Sequence, residues 1–185
     1  IQSIKDMVFP FPEKRAGQRD LMAATYHTMS HSEILYAIAP TGIGKTMATL
    51  FSSLKTLRLP NDKLFYCTAK GMQKDIAVRS IRTLEEQGLK LKTMVLTAKS
   101  KMCINDKQTC DPKKCIFAAG YFSKLTEAVK DIFLSTNVYD KSTITEFAVK
   151  HEICPFEFSL DLSYYCDLII ADYNYVFDPR AHLIR

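Results

Sequence analysis

Short, continuous apolar runs separated by polar helical stretches set the pattern of this chain. Ile34-Leu35-Tyr36-Ala37-Ile38-Ala39, Leu64-Phe65-Tyr66-Cys67-Thr68, Lys92-Thr93-Met94-Val95-Leu96 and Asp167-Leu168-Ile169-Ile170-Ala171 lack the alternation of a half-exposed strand. Such runs predict strands buried on both faces, as in a parallel sheet. Residues 13–29, 45–57 and 72–87 carry helical spacing, and Gly88 closes the last of them. Strand–helix alternation with crossovers of this length predicts an α/β fold, a parallel sheet with helices on both faces.

Near Ala98 the pattern changes. Residues 99–157 read as a mainly helical insert that holds four cysteines, a helix over 116–134, and a second helix opened by a Thr143-x-x-Glu146 capping box. The expected organisation is an α/β part over 1–98, the insert over 99–157, and a return to the α/β part over 158–185. Phe9-Pro10-Phe11-Pro12 predicts an extended lead-in, because proline cannot continue a helix.

Composition adds little at first: 47% of residues are apolar and 24% charged, enough for a packed core. The net charge of +5 is modest, but its distribution is not. Between residues 55 and 101 eleven basic side chains face four acidic ones, so this stretch carries +7 and the remainder −2. A local basic field suits a polyanion such as nucleic acid, and a solvated helix face is the plainer reading. No apolar run reaches the roughly 18 residues of a membrane span, and no signal peptide opens the chain. The expectation is a piece of a cytoplasmic protein with no membrane association.

Between the first apolar run and the second helix lies Ala39-Pro40-Thr41-Gly42-Ile43-Gly44-Lys45-Thr46. This matches the phosphate-loop pattern G-x-x-x-x-G-K-[ST], except that Ala39 replaces the first glycine. Gly42 and Gly44 let backbone N–H groups turn inward around phosphate oxygens, and the following helix start adds partial positive charge. Lys45 supplies a cation to the β and γ phosphates, and the Thr46 hydroxyl is placed to ligate Mg²⁺. A chance Lys-Thr after a glycine turn is the alternative, and the strand before and helix after weigh against it.

Six cysteines beside a phosphate loop point to metal ligation more than to disulfides. Cys103, Cys110, Cys115 and Cys154 are separated by 6, 4 and 38 residues, a poor match to the tight pairs of structural zinc sites. Four thiolates also suit an iron–sulfur cluster, which tolerates more varied spacing. Cys67 and Cys166 fall in predicted strands, where a thiol acts as a small hydrophobe.

The order of these motifs resembles the XPD/DinG family of iron–sulfur DNA helicases, bacterial DinG-like members included. The features that carry the resemblance are Arg15-Ala16-Gly17-Gln18, the phosphate loop, Ala98-Lys99-Ser100-Lys101-Met102-Cys103, Ile153-Cys154-Pro155-Phe156 and Asp172-Tyr173-Asn174-Tyr175. The resemblance covers nearly the whole chain and implies part of a RecA-like motor domain. By position, Arg15 and Gln18 join the loop in the nucleotide site, with Gln18 reading adenine, so that ATP and Mg²⁺ are the cofactors. Cys103, Cys110, Cys115 and Cys154 correspond to the ligands of a 4Fe–4S cluster. Thr68-Ala69-Lys70-Gly71-Met72-Gln73 stands where the family has its first DNA-contacting motif, although its sequence departs from the common form. Lys70, Gln73, Lys99 and Lys101 are the implied nucleic-acid contacts. Single-stranded DNA and duplex junctions are the implied partners, 5′ to 3′ the implied direction, and the bacterial cytoplasm or nucleoid the implied location.

Such a motor also needs an acidic pair, Asp for Mg²⁺ and Glu for the attacking water. Asp172 ends an apolar run, but Tyr173 follows it rather than Glu. The family's Asp-Glu-Ala-His box is expected beyond Arg185, which predicts weak nucleotide binding with negligible hydrolysis by these residues alone. Two other classes remain open on sequence: a phosphate-loop kinase or small-molecule NTPase with a zinc-stabilised lid, and a non-catalytic, metal-stabilised nucleic-acid-binding module.

Overall fold

The computed structural model describes residues 2–69, 71–105, 109–179 and 183. Along the chain these form α1 (Gln2–Asp6), α2 (Gln18–Ser30), α3 (Lys45–Leu54), β1 (Leu64–Thr68), α4 (Gly71–Glu85), β2 (Thr93–Val95), α5 (Lys99–Met102), α6 (Tyr121–Ser135), β3 (Val138–Tyr139), α7 (Lys141–Lys150), α8 (Pro155–Ser163), β4 (Leu168–Asp172) and α9 (Asn174–Phe177). They fall into two compact units, residues 1–66 with 70–90 and residues 67–69 with 91–185.

In the first unit α3 packs against both α2 and α4. Leu50 and Leu54 of α3, and Ala77, Ile81 and Leu84 of α4, are fully buried. Their three- and four-residue spacing puts them on one face of each helix, and each buried leucine or isoleucine contributes about 1.5–3 kcal/mol. α4 ends at Glu85, and the turn that follows closes at Gly88, the glycine the sequence marks: its φ is +94°, and Leu89 N–H reaches back to Leu84 O at 3.0 Å.

The first apolar run departs from expectation. Ile34-Leu35-Tyr36-Ala37-Ile38-Ala39 forms no strand, and Ile34, Tyr36 and Ile38 are 81%, 92% and 106% exposed. A strand exists only beside another strand, because its N–H and C=O groups point sideways. Among the described residues none pairs with this segment.

The second unit holds the sheet, in the order β1-β4-β2-β3, with only the end of β1 belonging to this unit. β2 runs parallel to β4, with Thr93 opposite Leu168 and Val95 opposite Ile170, and parallel to β3, with Met94 opposite Tyr139. Thr68 joins β4 by accepting from Tyr173 N–H at 3.1 Å. One apolar core contains Met94 and Leu96, Ile169 and Ala171, Ala128 and Ile132 of α6, Ile144 and Ala148 of α7, and Phe158 and Leu162 of α8. The helices of the predicted insert therefore share their core with the sheet.

Lys92 fixes one end of this arrangement. Its ammonium donates to Phe133 O and, at 2.9 Å, to Thr136 O, capping the C-terminal turn of α6. Its backbone N–H donates to Asp167 Oδ2 at 2.9 Å. At the start of α7 the predicted capping box is not used. Asp140 is the N-cap, with Oδ1 accepting from Thr143 N–H at 3.0 Å and from the Thr143 hydroxyl at 3.1 Å. A carboxylate competes well for that position because it accepts more strongly than a hydroxyl and favours the positive end of the helix dipole.

Candidate nucleotide and cysteine sites

The phosphate loop lies in the first unit. Gly42 and Gly44 have φ of +87° and +76°, and Gly44 is the N-cap of α3 with no side chain capping that end. Ile43 is buried and anchors the loop, while Thr41 is exposed and Thr46 half-buried at the rim of the loop cavity. Lys45 Nζ folds over the loop and donates to Ala39 O at 3.0 Å and Pro40 O at 2.7 Å. Both acceptors are neutral carbonyls, which a phosphate oxygen outcompetes for an ammonium.

Arg15 and Gln18 meet the loop through its backbone. Arg15 Nη1 donates to Gly42 O. Gln18 is 3% exposed, with Oε1 accepting from Arg15 N–H at 3.1 Å and Nε2 directed to Gly44 O at 3.5 Å. The cavity in front of the loop measures about 760 Å³. Sequence reasoning missed part of its wall: Phe11 and Glu13 from the lead-in, and Ile76, Arg79, Ser80 and Thr83 from α4. The α4 residues recur at three and four positions, a signal readable as one helix face.

The cysteines lie in the second unit. Cys103, Cys110, Cys115 and Cys154 all line one cavity of about 270 Å³, together with Phe117, Tyr121, Phe122 and Phe156. Four positions spread over 52 residues are brought together because Cys103 follows α5, Cys154 caps α8, and α5 packs on α8. Burial pushes the Cys154 thiol above its usual range, opposed by hydrogen bonds from the backbone N–H groups of Glu157 and Phe156. A hydrogen bond to Cys110 raises Lys99 above the ordinary lysine range. Among the described residues, no three His, Cys, Asp or Glu side chains form a group that could hold a single metal ion. Cys67 is half-buried in β1 and Cys166 fully buried before β4, outside this cavity.

Of the implied nucleic-acid contacts, Lys70 lies outside the described residues, Gln73 is exposed in the first turn of α4, and Lys99 and Lys101 are exposed on α5. The basic stretch is not a single solvated face. Lys74 is 9% exposed, Lys55 donates to Lys5 O at 2.7 Å, and Lys92 caps α6. Asp172 is the last residue of β4, and Tyr173 after it is exposed. No helix among the described residues is long and apolar enough to cross a membrane.

A family model described as DEAD_2 matches residues 66–184. The chain belongs to the DEAD_2 family. This DEAD_2 chain is 22% identical, over 96% of its length, to the "General transcription and DNA repair factor IIH helicase subunit XPD" of Dictyostelium discoideum, covering 26% of that protein. The subunit of the same description from Schizosaccharomyces pombe is 23% identical over 94% of the chain and 27% of its own length. The "Regulator of telomere elongation helicase 1 homolog" of Caenorhabditis briggsae is 22% identical over 97% and 22%. A solved structure titled "XPD_Helicase" superposes with a TM-score of 0.59 over 92% of this chain and 30% of that one, at 18% identity. The DEAD_2 chain thus spans about a quarter of the length of these curated relatives. The superposition supports an α/β, RecA-like fold.

Proposed function

We propose that this chain is the nucleotide-binding and iron–sulfur portion of an ATP-dependent DNA helicase. The observation that carries the reading is the phosphate loop: Lys45 and the uncapped start of α3 border a cavity in a chain whose family relatives are named as helicases. In this reading Gly42, Gly44, Lys45 and Thr46 hold the triphosphate and Mg²⁺, with Arg15 and Gln18 lining the same cavity beside the loop. Gln73, Lys99 and Lys101 contact single-stranded DNA. Strand separation at duplex junctions in the 5′ to 3′ direction follows from the resemblance to XPD and DinG helicases. Among the described residues no strand ends in an Asp-Glu pair, and in this reading they bind nucleotide and hydrolyse it negligibly by themselves. The cysteine-bearing part corresponds to residues 99–157, flanked by motor-domain parts at 1–98 and 158–185.

The cysteine cavity suits a 4Fe–4S cluster on its donor chemistry. Four thiols line one largely apolar space, backbone N–H groups face the Cys154 sulfur, and Lys99 sets a positive charge beside Cys110. A single zinc ion asks for four donors about 2.3 Å from one point. A cluster spreads its thiolates over several iron atoms, which matches cysteines that share a cavity without converging. When bound, the cluster would supply a covalent cross-link among these four positions, and the chain's own part is to hold the thiolates and exclude water.

The test is a titration with Mg-ATP. The chain binds it, Lys45→Ala abolishes binding with the fold intact, and single-stranded DNA binds with a steep dependence on salt. Unchanged ATP affinity in Lys45→Ala would remove the basis of the reading. Anaerobically prepared protein is brown, and Cys154→Ser bleaches it; a colourless protein with stoichiometric zinc refutes the cluster.

A further inference from the structure

The end of α2 gathers three side chains that line neither the loop cavity nor the cysteine cavity. His27 and His31 stand one helical turn apart, and their rings stack with centroids 4.2 Å apart. Residues four apart on a helix share one face. Both rings, and the Glu33 carboxylate beside them, are exposed. The chain bends back at Ser32, whose φ is +56°, and Glu33 N–H donates to Thr28 O at 3.0 Å. That turn brings the carboxylate to His27, with Glu33 Oε2 3.7 Å from Nδ1.

These contacts also decide which ring nitrogens are free. His31 Nδ1 lies 2.8 Å from His27 O. A carbonyl only accepts, so Nδ1 carries the proton, and Nε2 of the neutral ring keeps its lone pair. The Glu33 carboxylate likewise only accepts and favours the proton on His27 Nδ1. Two Nε2 lone pairs are thus left on one exposed helix face. A ring N–H directed at a carbonyl or a carboxylate is the support that metal-binding imidazoles have, because it fixes the tautomer and the ring orientation. Both rings are exposed and free to tilt until the two nitrogens lie about 2.0–2.1 Å from one ion.

We propose that His27 and His31 form a bidentate site for a borderline divalent transition ion such as Zn²⁺ or Ni²⁺, with Glu33 as the residue that positions His27. Among the described residues no three His, Cys, Asp or Glu side chains form a group that could hold a metal ion. Water therefore completes the coordination, and the ion exchanges readily. Bound there, it cross-links the last turn of α2.

Ni²⁺ alone is the probe, added to the full 185-residue chain while NMR follows the imidazole signals of His27, His31 and His151. Its paramagnetism broadens the nuclei nearest the ion, so the response is read residue by residue. His27 and His31 fade together, at Ni²⁺ concentrations at least about tenfold below those that affect His151, because the second ligand binds intramolecularly. In His27→Gln the His31 signal loses this advantage, and His31→Gln does the same to His27. In Glu33→Ala the two signals still fade together, at about tenfold more Ni²⁺.

The proposal is overturned if His27 and His31 fade at separate Ni²⁺ concentrations in the parent chain, or no earlier than His151. It is overturned equally if His31 responds in His27→Gln as it does in the parent, since the ion would then be held elsewhere. A Glu33→Ala variant with the parent's Ni²⁺ response overturns the positioning role of the carboxylate.

Discussion

A β-carbon on Gly44 would stand 2.6 Å from Nε2 of Gln18, and the Gly44 backbone is already in the left-handed region at φ +76°. The glutamine tip can swing aside, but the backbone conformation cannot be relieved so easily. Any side chain at this φ costs about 1–2 kcal/mol. Gly44→Ala is expected to lose that much stability and to weaken ATP binding by at least about tenfold, since both the Gln18 contact and the loop shape are disturbed. Calorimetric titration and thermal melting measure the two effects; an alanine variant that binds ATP normally would show that the loop does not need this geometry.

Lys92 belongs by charge to the basic stretch and by contact to α6. With its ammonium on Phe133 O and Thr136 O, and 4.2 Å from the Phe133 ring centroid, it holds the helix end. Lys92→Met removes these interactions while keeping much of the apolar stem. The expected loss is about 1–2 kcal/mol, with faster amide exchange in the last turn of α6. A salt-dependent loss of DNA affinity at unchanged stability would assign Lys92 to nucleic acid instead.

The start of α7 offers a direct contest between two capping schemes. Asp140→Ala should destabilise the chain by about 1 kcal/mol, and Glu146→Ala by only a few tenths. Chemical denaturation of the pair decides it, and the reverse ranking would restore the Thr143 box.

Asp131 on α6 joins the end of α7 through Lys150 Nζ at 2.6 Å and His151 Nε2 at 2.7 Å. The hydrogen bond from Lys150, then that from His151, hold its carboxyl below the ordinary aspartate range. The folded state therefore prefers the carboxylate. This contribution is complete above the unfolded aspartate pKa and disappears as pH falls through the lowered folded value. Asp131→Asn is expected to melt earlier than the parent at neutral pH, with the difference closing as the solution is acidified below the usual aspartate range. Melting curves from pH 7 to pH 3 that keep a constant gap would contradict this.

Much of the fold was legible because burial leaves a local signature. β1 and β2 lie within continuous apolar runs, β4 overlaps one over 168–171, and the turn after α4 closes at Gly88. The run from Ile34 to Ala39 carries the same signature and is exposed, since apolar content reports a preference for burial and not which neighbour provides it. β3 escaped notice because two residues carry no period. Asp140 escaped because Asp, Ser and Thr stand together at 140–143 and the caps compete by geometry. At the sites, the phosphate loop could be read because eight consecutive residues make it. Phe11 and Arg79 could not, being joined to it only by folding. The cysteines stood out by residue type, but a gap of 38 residues says nothing about whether its ends meet.

The core shared between the helices around the cysteine cavity and the sheet has a mechanical meaning. Met102, next to Cys103, and Tyr121, on the cavity wall, pack in the same cluster as Met94, Leu96, Ile169 and Ala171. Among the described residues one packed cluster joins the cavity wall to the strands. Damage that swells the cavity, such as oxidation of its thiols, would push on β2 and β4 and be felt as slackness at Asp172, where β4 ends.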